Sequence, residues 1–274
     1  MAITAAEVNK LRQMTGAGMM DCKNALVEND GDFDKAIDFL RKKGQKLASK
    51  RADRDANEGV VLAKTNDAKT FAAILMINCE TDFVAKNEEF VSFCQSVLDL
   101  AVEKMAKTDE ELKAYSINGV TVAELLTDQV GKIGEKIDLT HYSIIEGPMN
   151  FAYNHYGNRL ATIVGFNKAC NENIGKDIAM QIASMAPVAI DKEAVSQEII
   201  EKELEIYREL IRQEGKPENM VEQIAQGKLN KFFKESTLLN QDFIKDGKKS
   251  VGQYIKENDK DLTVTSFIRL MLGA

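Results

Sequence analysis

The side chains able to do covalent chemistry are few and scattered in this sequence. Histidine occurs only at His141 and His155, with no motif around either. The four cysteines, Cys22, Cys79, Cys94 and Cys170, lie far apart and form no C-x-x-C. Acid–base or nucleophilic catalysis needs a convergent set of such groups, and none is visible. Zinc needs clustered thiolates and imidazoles, so no metal site is expected. Dispersed thiols fit a reducing cytoplasm better than a disulfide framework, and a free cysteine behaves more often as a small hydrophobe than as a nucleophile. The phosphate-cradling pattern G-x-x-x-x-G-K-[ST] does not occur. The expectation is a protein with no catalytic residues, no metal and no cofactor, whose work is binding.

Composition narrows what it binds. Lys and Arg number 36 against 43 Asp and Glu, for a net charge of −7. An acidic balance argues against a protein that coats nucleic acid, because phosphate contacts run on Lys and Arg. The N-terminus, MAITAAEVNK, has neither the basic start nor the apolar stretch of a signal peptide. No apolar run approaches the roughly 18 residues of a membrane span. The expected setting is therefore the cytoplasm, without a membrane or a direct nucleic-acid partner. With 274 residues, 44% hydrophobic and 29% charged, the chain is long and apolar enough to fold, into roughly two domains by size.

The elements that would position a binding surface follow from pattern. Residues 1–43 predict three short helices. Thr4 and Glu7 form a capping box, and Val8 and Leu11 share one face. Met19, Cys22 and Leu26 give the next stripe. Asp32 caps a third helix with Phe33, Ile37 and Leu40 on its apolar side. Residues 44–57, GQKLASKRADRDAN, are highly charged and predict a linker, helical at most in its first half. The middle of the chain repeats itself: EGVVLAKTNDAKTFAAILMIN at 58–78 resembles EGPMNFAYNHYGNRLATIVGFN at 146–167. Each copy predicts a β-hairpin followed by an amphipathic helix. The helix faces are Phe90, Val91, Cys94, Val97 and Leu98 in the first copy, and Ile178, Ile182 and Met185 in the second. Between 191 and 233, two narrow stripes flank the breaker Glu214-Gly215-Lys216-Pro217: Ile200, Leu204, Tyr207 and Ile211, then Val221, Ala225, Leu229 and Phe232. They predict an antiparallel helical hairpin projecting into water. TVTSFIRLML predicts a final strand.

The fold class expected is thus α+β. A three-helix (ubiquitin-associated-like) unit with its linker covers 1–55. One core subdomain spans 56–140, and a second, duplicated one spans 141–189 and 237–274. The helical hairpin, 190–236, is an insertion.

Within this frame the segment after the first hairpin is unusual. Thr81-Asp82-Phe83-Val84 sits at a strand-to-helix turn, and the corresponding place after the second hairpin is the mostly polar Lys168-Ala169-Cys170-Asn171-Glu172. A phenylalanine at a helix start is ordinarily a core or staple residue. The polar second copy shows that a fold built twice does not require an aromatic there. Phe83 is then free to anchor in a partner's pocket. In LRQMTGAGMMDCK (11–23), Leu11 reads as core and Arg12 as outward-facing. Met19 lies on the core stripe and Met20 one step off it, where an adaptable side chain suits a docking surface.

LRQMTGAGMMDCK and NCETDFVAK (78–86) resemble the signature segments of the bacterial translation elongation factor Ts family. The resemblance continues through the GKPE turn at 215–218 and the GQ at 252–253, in the same order along the chain. It implies a guanine nucleotide exchange factor whose partner is the GTPase elongation factor Tu. In that family the counterpart of Phe83 is a wedge, Asp82 falls near the GTPase's Mg²⁺ site with Thr81 and Val84 beside it, and the segment carrying Leu11, Arg12, Met19 and Met20 docks on a helix of the GTPase. A single carboxylate such as Asp82 is a poor Mg²⁺ site of its own. Family members differ in oligomeric state, so a homodimer or a 2:2 complex with the GTPase stays open. Two departures stand out. Tyr156 occupies a position where histidine is frequent, and many members carry a C-terminal helical module beyond the final strand, whose contact is not carried over here. The rival readings are a peptide- or ubiquitin-like-binding adaptor, which small three-helix units often are but which leaves the Thr81–Val84 turn unexplained, and an enzyme, for which no convergent residue set exists.

Overall fold

Helix formation at the N-terminus begins with the capping box the sequence predicts. In the computed structural model, which describes residues 3–273, the Thr4 hydroxyl accepts from the Glu7 N–H, and the Glu7 carboxylate accepts from the Thr4 N–H at 2.7 Å. Helix α1 (Ala5–Thr15) ends on Gly16, whose φ of 68° is left-handed and favours a residue without Cβ. Helices α2 (Met19–Glu28) and α3 (Phe33–Arg51) complete the unit around Leu11, Cys22, Ala25, Leu26 and Ala36.

Helix α3 runs into the charged stretch as far as Arg51, so the first half of the expected linker is helical, as the sequence allowed, and continuous with the third helix. The reason is tertiary. Helix α7 (Val122–Ile133) crosses α3 with Gly44 and Gly131 at the contact: a Cβ built on Gly131 would lie 3.0 Å from the Gly44 Cα. Two glycines let the backbones approach where larger residues would hold them apart. Leu47 and Ala48, one turn further on, pack against the core of the first sheet. That narrow buried seam is invisible in a composition dominated by Lys and Arg.

Strands β1 (Glu58–Thr65) and β2 (Phe71–Cys79) form the first hairpin, with Leu62 opposite Leu75. The chain then makes the single turn α4 (Asp82–Ala85), the long helix α5 (Glu88–Lys104), α6 (Asp109–Ala114) and the two-residue strands β3 (Ser116–Ile117) and β4 (Val120–Thr121) before α7. Strand β5 (Asp138–Glu146) returns antiparallel to β2, giving a sheet of order β1-β2-β5. Strands β6 (Met149–Asn154) and β7 (Leu160–Phe166) form the second hairpin, with Ala152 opposite Ile163, and are followed by α8 (Glu172–Met185). Helices α9 (Gln197–Gln213) and α10 (Glu218–Ser236) make the helical hairpin, seated on Ile211, Val221 and Ala225. The short β8 (Asp242–Phe243) and β9 (Asp246–Ser250) and helix α11 (Val251–Asn258) lead to β10 (Val264–Met271), which pairs antiparallel with β7 in a sheet of order β10-β7-β6. The architecture is α+β.

The two sheets pack face to face through Val61, Ala63, Ala72, Ile74 and Ile145 on one side and Ala161 and Ile163 on the other. Alternation on β1 serves both layers: Val60 and Leu62 point to the outer core and Val61 and Ala63 to the inner. The outer face of the first sheet is covered by Phe90, Cys94, Val97 and Leu98 of α5, and that of the second by Ile174, Ile178 and Ile182 of α8. Of the stripe expected on α8, Met185 is an exception: it is exposed in the helix's last turn, just before the left-handed cap at Ala186. Strand β2, buried along its length, lies at the centre. The edge of β1 is closed by the second hairpin. Val61 N–H donates to Asn158 O at 2.7 Å, and the Asn154 amide bonds both the N–H and the C=O of Ala63. No described helix is long and apolar enough to cross a membrane.

Candidate protein-docking site

The turn after β2 is built so that its aromatic residue faces out. Thr81 caps α4, its hydroxyl accepting from the Val84 N–H at 3.4 Å. Val84 and Ala85 pack inward against the core of the first sheet. In a single helical turn this leaves the residue before them on the opposite side, and Phe83 is 83% exposed. Large aromatic surfaces are normally buried on folding, so one held in water by a structured turn is a candidate contact for a partner. Asp82 forms an ion pair with Lys86 at 2.6 Å; that bond holds its carboxyl below the usual range, and it is ionised at neutral pH. The turn therefore presents an aromatic ring beside a negative charge.

Beneath the turn, two carboxylates clasp the chain reciprocally. Glu135, in the loop that follows α7, accepts from the Glu80 N–H and the Thr81 N–H, each at 3.0 Å, and from the Thr81 hydroxyl at 2.7 Å. Glu80 in return accepts from the Lys136 N–H at 2.7 Å and from Arg51 and Arg54 at 2.6 and 3.1 Å. Desolvation pushes the Glu80 carboxyl up, but the Lys136 N–H and the two guanidiniums outweigh it and bring it down to about 2. The adjacent Cys79 thiol is raised to about 12, chiefly by desolvation and then by the charge of Glu135, and donates to Thr81 O. Buried and held protonated, it packs as a small hydrophobe.

The structure distributes the residues expected at the site as follows. Arg12 and Phe83 come together: they line one open cleft of about 1060 Å³ between α1, the start of α5 and the end of α7. Lys132 crosses this cleft, its side chain passing over Gly16 to reach Glu89 at 2.8 Å. Leu11 is wholly buried in the three-helix core and offers no surface of its own; it supports the face on which Arg12 stands. Met19 is 53% exposed, so its place on the core stripe does not make it a core residue. At the first position of α2 its side chain leaves the bundle, while Cys22, one turn on, fills it. Met20 is 64% exposed, as its off-stripe position predicts. Neither methionine lines the cleft that holds Phe83.

Sequence reasoning passed over Glu135, Arg51 and Lys132, which fix the site from elements distant in sequence. It noted Tyr156 only as a departure from a pattern. That residue is 98% exposed at the tip of the second hairpin. The tip is tied to β1 by Asn158 and by an ion pair of Arg159 with Glu58, the residue opposite Cys79. Tyr156 therefore stands at the same end of the molecule as the Phe83 turn. The helical spacing and hairpin repeat contain no signal for that proximity. Among the described residues, no group of three or more His, Cys, Asp and Glu side chains is arranged to hold a metal ion.

The site thus places an exposed aromatic on a braced turn beside a helical unit that carries an outward-facing Arg12 and exposed Met19 and Met20. The sequence model of the family described as Elongation factor TS matches residues 80–274. Curated proteins named Elongation factor Ts are similar over the full length. The one from Amoebophilus asiaticus is 52% identical, covering 100% of both chains; the one from Christiangramia forsetii is 50% identical over 99% of each; and the one from Porphyromonas gingivalis is 50% identical over 100% of each. The chain belongs to the elongation factor Ts family, whose members act in the elongation phase of protein synthesis.

Proposed function

We propose that this protein is the guanine nucleotide exchange factor of elongation factor Tu, working in the cytoplasm by binding alone, without covalent chemistry. The observation that carries the reading is Phe83, an aromatic side chain 83% exposed on a turn clasped by Glu135. Family membership supports the partner. In the complex, Phe83 enters the GTPase beside its Mg²⁺ and phosphate site, and Asp82, ionised on the same turn, adds a negative charge near the ion's support. Thr81 and Val84 hold the turn, and Arg12, Met19 and Met20 dock the three-helix unit on the GTPase surface. These contacts promote GDP release only if they are stronger in the conformation that holds GDP weakly, since contacts equal in both states shift nothing. By linkage, GDP must weaken the factor's binding by the same ratio in which the factor weakens GDP binding. Calorimetry with nucleotide-free and GDP-loaded GTPase tests this. The factor is expected to bind the nucleotide-free form at least tenfold more tightly, about 1.4 kcal/mol. Equal affinities would show a binding partner that is not an exchange factor.

A further inference from the structure

The orientation of Phe83 has to come from its backbone. The ring is 83% exposed, so packing does little to fix its direction. Helix α4 is four residues long, far below the length at which a helix holds itself in water. The Asp82–Lys86 pair within it is exposed, and such pairs contribute little. The inward packing of Val84 and Ala85 fixes the turn's C-terminal side. On its N-terminal side the turn is held by Glu135, whose single carboxylate takes both N–H groups of residues 80 and 81 and the hydroxyl of the cap itself. These are charge-assisted bonds in a half-buried site, stronger than neutral ones.

We infer that Glu135 is a positioning residue for nucleotide exchange: it pre-organises the turn so that Phe83 is already aimed before the partner arrives. The inference rests on the exchange-factor reading proposed above. An anchor ordered in advance loses less conformational entropy on binding. Glu135 is well placed for this because it follows directly on α7, the helix that α3 crosses at Gly44 and Gly131, while Arg51 at the end of α3 braces Glu80 from the other side. The turn that carries Phe83 and the helical unit that carries Arg12 are thereby referenced to one pair of crossed helices.

Two substitutions separate positioning from general stability. In Glu135→Ala all three bonds are lost. In Glu135→Gln the side-chain carbonyl can still accept from both N–H groups, and its amide can donate to the Thr81 hydroxyl, so the geometry survives without the charge. Two readouts are needed. The first is amide hydrogen exchange of residues 80 and 81 in the free protein, which is independent of any GTPase. The second is the maximal GDP release rate at saturating factor, in the wild-type and Phe83→Ala backgrounds. Glu135→Ala is expected to speed exchange of the two amides at least tenfold and to slow maximal GDP release about tenfold, the equivalent of one charge-assisted hydrogen bond. Glu135→Gln should stay within about threefold of wild type. In the Phe83→Ala background Glu135→Ala should cost less than about twofold more, because it acts through the ring. Unchanged amide protection in Glu135→Ala, or a full tenfold loss on top of Phe83→Ala, overturns the inference. If the wild-type protein itself leaves GDP release unaltered, the exchange-factor reading fails, and the amide protection still decides whether Glu135 holds the turn.

Discussion

Replacing Phe83 with alanine separates a binding residue from a core residue. With 83% of its surface exposed, the side chain keeps only about a sixth of its area from water. For an aromatic of about 200 Å² that is about 35 Å², or ~0.9 kcal/mol at about 25 cal/mol per Å². In a chain of this size 1 kcal/mol moves the melting temperature by roughly 2–4 °C, so Phe83→Ala should melt no more than about 3 °C below wild type. An interface aromatic anchor contributes about 2 kcal/mol or more to binding, a factor of about 30. Because this contact is made in the conformation that holds GDP weakly, its loss slows release even at saturating factor, and the effect should far exceed the loss in stability. The assay is paired: thermal melting of the free protein, and release of labelled GDP from elongation factor Tu at saturating factor. A variant that melts more than 8 °C lower (a threshold of roughly 2–4 kcal/mol) while its folded fraction exchanges at the wild-type rate would refute the reasoning and make Phe83 structural.

Three further expectations follow from the same geometry. Leucine at Gly131 would force α3 off α7, since even a Cβ there approaches Gly44 to 3.0 Å; overpacking of this kind costs about 1–3 kcal/mol, and both melting temperature and affinity for the GTPase should fall. Deleting residues 1–50, which the charged composition of 44–57 makes look harmless, strips α3 from α7 and uncovers the surface under Leu47 and Ala48; the truncated protein should lose thermal stability as well as affinity, and an unchanged melt would show that the α3–α7 seam carries no stability. The Glu80 carboxyl titrates near 2 in the folded protein against an ordinary value of 4.5. Its folded pKa is depressed, so the stabilisation is present above about pH 4.5 and is lost as pH falls toward 2; the gap in melting temperature between wild type and Glu80→Gln should shrink across that window, and a gap independent of pH would show that the Arg51 and Lys136 contacts do not act through its charge.

Periodicity made the individual elements legible, and tertiary contact decided what it left obscure. The Thr4–Glu7 box, the Asp32 cap, the two hairpins and the final strand are local signals, each carried by a few adjacent residues, and each lies where the spacing predicts. The first half of 44–57 is helical, as far as its pattern allowed, because one seam, Gly44 with Leu47 and Ala48, packs inward while Lys46 and Lys50 stay exposed. Met19 shows the limit of a stripe: helical spacing places it with Cys22, but the first position of a helix lies at the rim of the bundle. At the site, the exposure of Phe83 was readable from the mismatch between the two repeats. Glu135 was not, because its partner lies 54 positions away and a glutamate after a glycine cap carries no sign of what it grips.

Exchange activity is read by preloading elongation factor Tu with labelled GDP, adding excess unlabelled nucleotide, and following release with the factor at about one-twentieth of the GTPase concentration. A factor that acts by transient binding turns over, so all of the labelled GDP should leave with an accelerated rate proportional to the amount of factor. Release at the intrinsic rate, or a burst that stops at one equivalent of factor, would contradict the exchange-factor reading.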